Sequence, residues 1–155
     1  MTAMMIADAI AARGERIDIE RVLRLALLHD WAEARIGDMP RTATRYFGAE
    51  HRKRAETAAF DDITQSLAAG ETLYRELFQD YEQRASPEAR LVKAADVIDL
   101  LVQVLALERA GARGLEEFWD VARARDFQLG GSAEAIVNDL IEALLEARPP
   151  GSQID

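Results

Sequence analysis

The sequence predicts an all-α fold, and three observations carry that prediction. Ala, Leu, Arg and Glu, all good helix formers, make up half of the 155 residues. Val, Ile and Thr together number only 23, and no run reads as a buried β-branched strand. Glycine and proline punctuate the chain, and between them the patterns are helical. The length suits one domain able to bury a sizeable core. The reading is a single helical bundle of about six to eight helices over residues 1–148, with 149–155 as a C-terminal tail.

The first helix is expected from Met1 to about Arg13. It has no N-cap and no polar lead-in, so the chain begins inside a helix, with Met1, Met4 and Met5 read as core packing. A second helix runs from Ile19 to about Trp31, capped by Asp18. Residues 38–48 read as a turn-rich connection with short helical pieces. A polar helix over Ala49–Ala68 and a shorter one over Glu71–Arg84 follow. Ser86-Pro87-Glu88 then opens the clearest helix, ending near Arg109: Ser caps, Pro takes the first helical position, and Glu sits in the positive first turn. Two more helices cover Gly114–Arg125 and Ser132–Ala147, joined through Gly130-Gly131, and the tail from Arg148 is expected to fray. Trp31 and Trp119 are read as core anchors.

The net charge of −9 disfavours a binder of DNA or RNA polymers, because an acidic surface repels phosphate backbones. With no cysteine, disulfides, zinc fingers and thiol catalysis are excluded. The apolar start is too short to span a bilayer and lacks a basic leader, so no membrane association and a cytoplasmic location are expected. The apolar content, and the broad apolar faces of the first and last helices, point to a homodimer.

Two segments carry candidate chemistry. In residues 91–107, LVKAADVIDLLVQVLAL, thirteen of seventeen side chains are apolar, which places this helix at the centre. The exceptions, Lys93, Asp96, Asp99 and Gln103, fall on one stripe. Either Lys93 pairs with Asp96 and the rest meet solvent, or Asp96 faces a bound cation, because a buried unpaired carboxylate is costly. The second segment is HDWAEARIGDMPRTATRYFG, residues 29–48. His29 and Asp30 end an apolar run, and imidazole beside carboxylate suits Zn, Mn, Fe or Co. Glu33 shares a face with His29 if the helix continues, and a turn aims Asp38. The His-Asp pair alone is a weak signal; Glu and Asp at these further spacings make it specific. His51 reads as a surface residue. Arg41, Arg45, Arg52, Lys53 and Arg54 read first as a solvated basic face, with Arg41 or Arg45 alternatively holding phosphate. Lys93 is the other candidate for a phosphate contact.

His29-Asp30, Glu33, Gly37-Asp38 and the later Lys93–Asp96 resemble the HD-domain metal-dependent phosphohydrolases. The branch most similar is that of the HD-domain 5′-deoxynucleotidases, including the HD domain-containing protein 2 group, on the stretches HDWAEARIGDMP, EHRKRAE and LYRELFQDYEQRASPEARLVKAAD. The resemblance covers about residues 1–125. It implies an HD-fold helical bundle in which His29, Asp30 and Asp96 ligate a divalent transition metal (Mn, Co, Zn, Fe or Ni). Glu33 and Asp38 would position or activate the attacking water. The implied reaction is hydrolysis of nucleoside 5′-monophosphates, 2′-deoxy forms foremost, by a homodimer. The alternative is a non-catalytic HD-fold protein with a regulatory or dimerisation role. The family carries a further metal-binding His on its first helix, and alignment on Met1–Ala12 puts it about two positions before Met1. The expectation is a reading frame that extends upstream to that His; as numbered, the site would bind metal weakly.

Overall fold

The computed structural model describes residues 1–67, 70–124 and 126–149, with the side chains of residues 41, 42 and 121 outside the description. Helix is the only regular structure among the described residues. It forms nine segments: α1 (Thr2–Ala12), α2 (Ile19–Leu28), α3 (Glu33–Ile36), α4 (Arg41–Phe47), α5 (Ala49–Thr64), α6 (Glu71–Gln83), α7 (Pro87–Arg109), α8 (Glu116–Arg123) and α9 (Gly131–Glu146). Ala68 and Arg125, expected at helix ends, and the tail beyond Pro149 lie outside the described residues. Two compact units result, one built from residues 1–23 with 84 onward, the other from residues 24–83.

The first unit is organised around α7. Its start is fixed locally, as the sequence predicts: Ser86 accepts a hydrogen bond from the Ala89 amide at 3.0 Å, and Pro87 opens the helix. Leu91, Val92, Ala94, Ala95, Val97, Ile98 and Leu101 are buried, so α7 is covered on most sides. It packs on α1, α8 and α9. α1 contributes Ala3, Ile6, Ala7 and Ile10, one stripe at helical spacing. Met1, Met4 and Met5 are exposed, contrary to their reading as core, because they lie off that stripe. Asp99 is also exposed, accepting a hydrogen bond from the Thr2 hydroxyl. Asp18 caps α2 through the Arg21 amide at 2.9 Å. The Ser132 amide at the start of α9 donates to Glu15 at 2.8 Å. Gly131, at φ +59°, permits this approach: a Cβ there would come within 2.7 Å of the Glu15 carboxylate.

Arg148 overturns the expectation of a frayed end. Its guanidinium donates to Glu108 at 2.9 and 3.2 Å and to Glu116 at 2.9 Å, and lies 4.6 Å from the centre of the Trp119 ring. Burial opposes its charge, but the hydrogen bonds it donates to Glu108 and Glu116 outweigh that and hold its pKa above the ordinary value. Trp119 is fully buried and donates its indole N–H to Glu108 at 3.0 Å.

In the second unit the core is aromatic. Phe60 stacks on Phe78 at 4.1 Å, and Trp31 meets Tyr74 edge-on at 5.9 Å. Ala32 and Ala59 complete the cluster, and α5 packs against α3, α4 and α6. An exposed ion pair between Arg35 and Asp62 at 3.2 Å links α3 and α5.

Candidate functional site

His29 and Asp30 sit where α2 ends. The His29 amide still bonds back to Leu25, but Trp31 bonds to Leu28 and Glu33 to Asp30, so the backbone tightens to three-residue turns. The second helix therefore does not run on to Trp31; a tight turn over residues 29–32 separates α2 from α3. Trp31 and Ala32 turn into the aromatic core, and this burial orients the turn that carries His29 and Asp30.

The His29 ring is held from three sides. Tyr81 packs edge-on at 5.1 Å, Nδ1 meets the Ala26 carbonyl oxygen at 2.9 Å, and Nε2 lies 2.9 Å from Asp30 Oδ2. A carbonyl only accepts, so Nδ1 carries the proton in that bond, and the neutral ring turns the Nε2 lone pair toward Asp30. This contact is a hydrogen bond when the ring is doubly protonated. In the neutral ring it brings together two electron-pair donors. Ligands on adjacent corners of a metal with bonds of about 2.1 Å lie about 3 Å apart, so the spacing suits two neighbouring ligands.

Glu33 opens α3, and Gly37, at φ +72°, ends it and leads the chain into Asp38. Glu33 is half-buried and Asp38 exposed. Burial first, then the Asp30 and Asp38 carboxylates, push the Glu33 carboxyl above its ordinary range; His29 opposes and Glu56 adds to the rise. The second unit thus gathers His29, Asp30, Glu33 and Asp38 within electrostatic reach. Glu56, on α5, was not singled out from the sequence. Its available signal is a charge on the same helical face as Ala59 and Phe60, where an apolar residue is expected.

Lys93 and Asp96 belong to the other unit. Lys93 Nζ contacts Asp96 Oδ2 at 2.7 Å, both side chains partly exposed, which is the pairing the sequence left open as the plainer alternative. Such a pair contributes only about 0.3–0.5 kcal/mol, so it does not lock Asp96 away from another cation. The Arg41 side chain lies outside the described residues. Among the described residues no three His, Asp or Glu side chains stand ready as a metal-holding group. The His29–Asp30 pair fits a divalent ion by its donor chemistry and spacing.

The HD domain family profile matches residues 1–128. This chain belongs to the HD domain family. The match takes in every site residue predicted from the sequence. Among the relatives of this HD domain, 5′-deoxynucleotidase hdd1 of Schizosaccharomyces pombe is 36% identical over 66% of this chain and 54% of its own length. 5′-Deoxynucleotidase HDDC2 of Mus musculus is 35% identical over 75% of this chain and 59% of its own. The chain thus spans a little over half the length of these curated relatives. A conserved hypothetical protein from Pyrococcus furiosus has the same HD-domain fold, with a TM-score of 0.76 and 31% identity over 94% of this chain and 77% of its own. A protein from Pyrococcus horikoshii matches with a TM-score of 0.78 at 29% identity over 95% of this chain and 78% of its own. No helix among the described residues is long and apolar enough to cross a membrane.

Proposed function

We propose that this HD domain, residues 1–148, is a metal-dependent phosphomonoesterase. It hydrolyses nucleoside 5′-monophosphates, 2′-deoxy forms foremost, to nucleoside and phosphate. The observation that carries the reading is the His29–Asp30 pair: an imidazole oriented by Ala26 and Tyr81, with its second nitrogen 2.9 Å from a carboxylate oxygen. The substrate class is supported by relatives named as 5′-deoxynucleotidases.

In this reading His29, Asp30 and Asp96 hold a divalent transition metal, drawn from Mn, Co, Zn, Fe and Ni. When bound, such an ion neutralises phosphoryl oxygens and makes water more acidic. Glu33, with a pKa above the ordinary carboxylate range, is the base that takes the proton from the attacking water. Asp38, on the turn after α3, orients that water. Water adds to phosphorus, the bond from phosphorus to the 5′ oxygen breaks, and the nucleoside 5′ oxygen leaves with the proton that Glu33 took from the water. Lys93 and Arg41 bind the phosphate. The working form is a cytoplasmic homodimer; the dimer is supported by exposed Met1, by Met4 and Met5 on α1 and by Val102 and Leu107 on α7.

The test is turnover of the purified chain loaded with Mn²⁺ or Co²⁺ on a panel of ribo- and deoxyribonucleoside 5′- and 3′-monophosphates. Release of phosphate from the 5′ esters is expected. A metal-loaded chain inert toward the whole panel overturns the reading.

A further inference from the structure

The face that α5 turns to α3 carries more than the aromatic core. Ala59 and Phe60 lie on it against Ala32, and the exposed Arg35–Asp62 ion pair also links the two helices. One turn toward the N-terminus stands Glu56, whose side chain is only 16% exposed. A further turn back is Arg52, 44% exposed, with Nε 3.6 Å from Glu56 Oε1. Residues 52, 56 and 60, four apart, stack on one helical face. Glu56 is also near enough to Glu33 for its charge to act there. Glu33 follows Ala32, against which the Ala59–Phe60 end of this face packs, and Glu56 and Arg52 continue the face toward the N-terminus of α5.

As a source of stability, an ion pair this exposed is worth little. Its chemistry suggests another use. The Asp30, Asp38 and Glu56 carboxylates all act on Glu33, in a chain of net charge −9, and carboxylates gathered in this way repel a dianionic phosphate. With Nε the nitrogen that faces Glu56, the two terminal amino groups are turned to a ligand, and that planar fork matches two phosphate oxygens.

We propose that Arg52, oriented by Glu56, is a phosphate-binding residue of this site, contacting the substrate monoester and then the phosphate released. The proposal rests on the phosphomonoesterase reading above. Arg52 is the binding residue; Glu56 is a positioning residue acting through it.

The test uses the full chain loaded with Mn²⁺ and a deoxynucleoside 5′-monophosphate, with inorganic phosphate as inhibitor. R52Q should raise KM about tenfold, leave kcat within about twofold, and weaken phosphate inhibition by the same factor. E56Q should weaken both about threefold, and the double variant should be no worse than R52Q, since Glu56 acts on the phosphate through Arg52. R54Q, elsewhere on α5, should match wild type. An active wild type whose KM and phosphate inhibition are unchanged in R52Q overturns the proposal and leaves the hydrolase reading standing. A wild type inert toward phosphomonoesters defeats that reading instead. Calorimetry with inorganic phosphate then decides on Arg52 alone: weaker binding by R52Q supports it, and equal binding overturns it.

Discussion

Arg148 and Glu108, forty residues apart, form a nearly dry ion pair: Nη2 donates to Oε1 at 2.9 Å and Nε to Oε2 at 3.2 Å, with side chains 5% and 1% exposed. The pair ties Arg148, two residues past the end of α9, to the end of α7. Buried pairs of this kind contribute little net stability compared with an apolar replacement, but breaking one strands a charge away from water.

Arg148→Ala should therefore lower unfolding free energy by about 3–5 kcal/mol, or about 6–20 °C in Tm for a chain of this size. Adding Glu108→Gln should recover part of the loss by removing the stranded charge. Denaturant unfolding checks both, and a loss below about 1 kcal/mol for Arg148→Ala would show that water reaches the pair.

Glu116 should make the same region acid-sensitive. Hydrogen bonds from Arg148 and then Arg123 hold its carboxyl below the usual range. A depressed pKa adds stability above the unfolded value of about 4.3, which is lost as pH falls through the folded value. Glu116→Gln should thus be less stable than wild type at neutral pH, with the difference closing in acid below the ordinary Glu range. A gap that stays constant across that range would contradict the assignment.

Glu33 behaves in the opposite sense. Its raised pKa favours the neutral form, so its contribution to stability is present below the unfolded value and lost as pH rises through the folded one. In metal-free protein Glu33→Gln should be more stable than wild type at neutral pH, with the advantage fading in acid. The same substitution should cut turnover about 10²–10⁴-fold while metal binding persists. Unaltered turnover would remove Glu33 from the role of base.

His29→Ala and Asp96→Ala should each lose metal rather than chemistry alone. Elemental analysis of metal per chain after dialysis is the measurement, with Glu33→Gln as the variant expected to retain it. Full occupancy in Asp96→Ala would mean that the ion is held without the Asp96 carboxylate.

Light scattering at micromolar concentration should give twice the 17.2 kDa chain mass. A monomer mass would contradict the dimer.

Features that depend on neighbours a few residues apart are legible in the chain before it folds. Helix formers at 3.6-residue spacing specify helices, Ser86 and Asp18 cap them through amides three residues on, and Gly37 ends α3. His29, Asp30, Glu33 and Asp38 are close in sequence, so their grouping was legible, as was the Lys93–Asp96 pairing as one of two alternatives. Tertiary structure alone decided which faces those helices bury. Met1, Met4 and Met5 look like core but face outward, because Ala3, Ile6, Ala7 and Ile10 take the packed side of α1. Arg148 looks like a frayed end but is buried, because its partners Glu108 and Glu116 lie 40 and 32 residues away. Glu56 gains its place only from the packing of α5 on α3. Local periodicity encodes a helix and its candidate faces; which face meets a partner depends on long-range contacts that no short window of sequence contains.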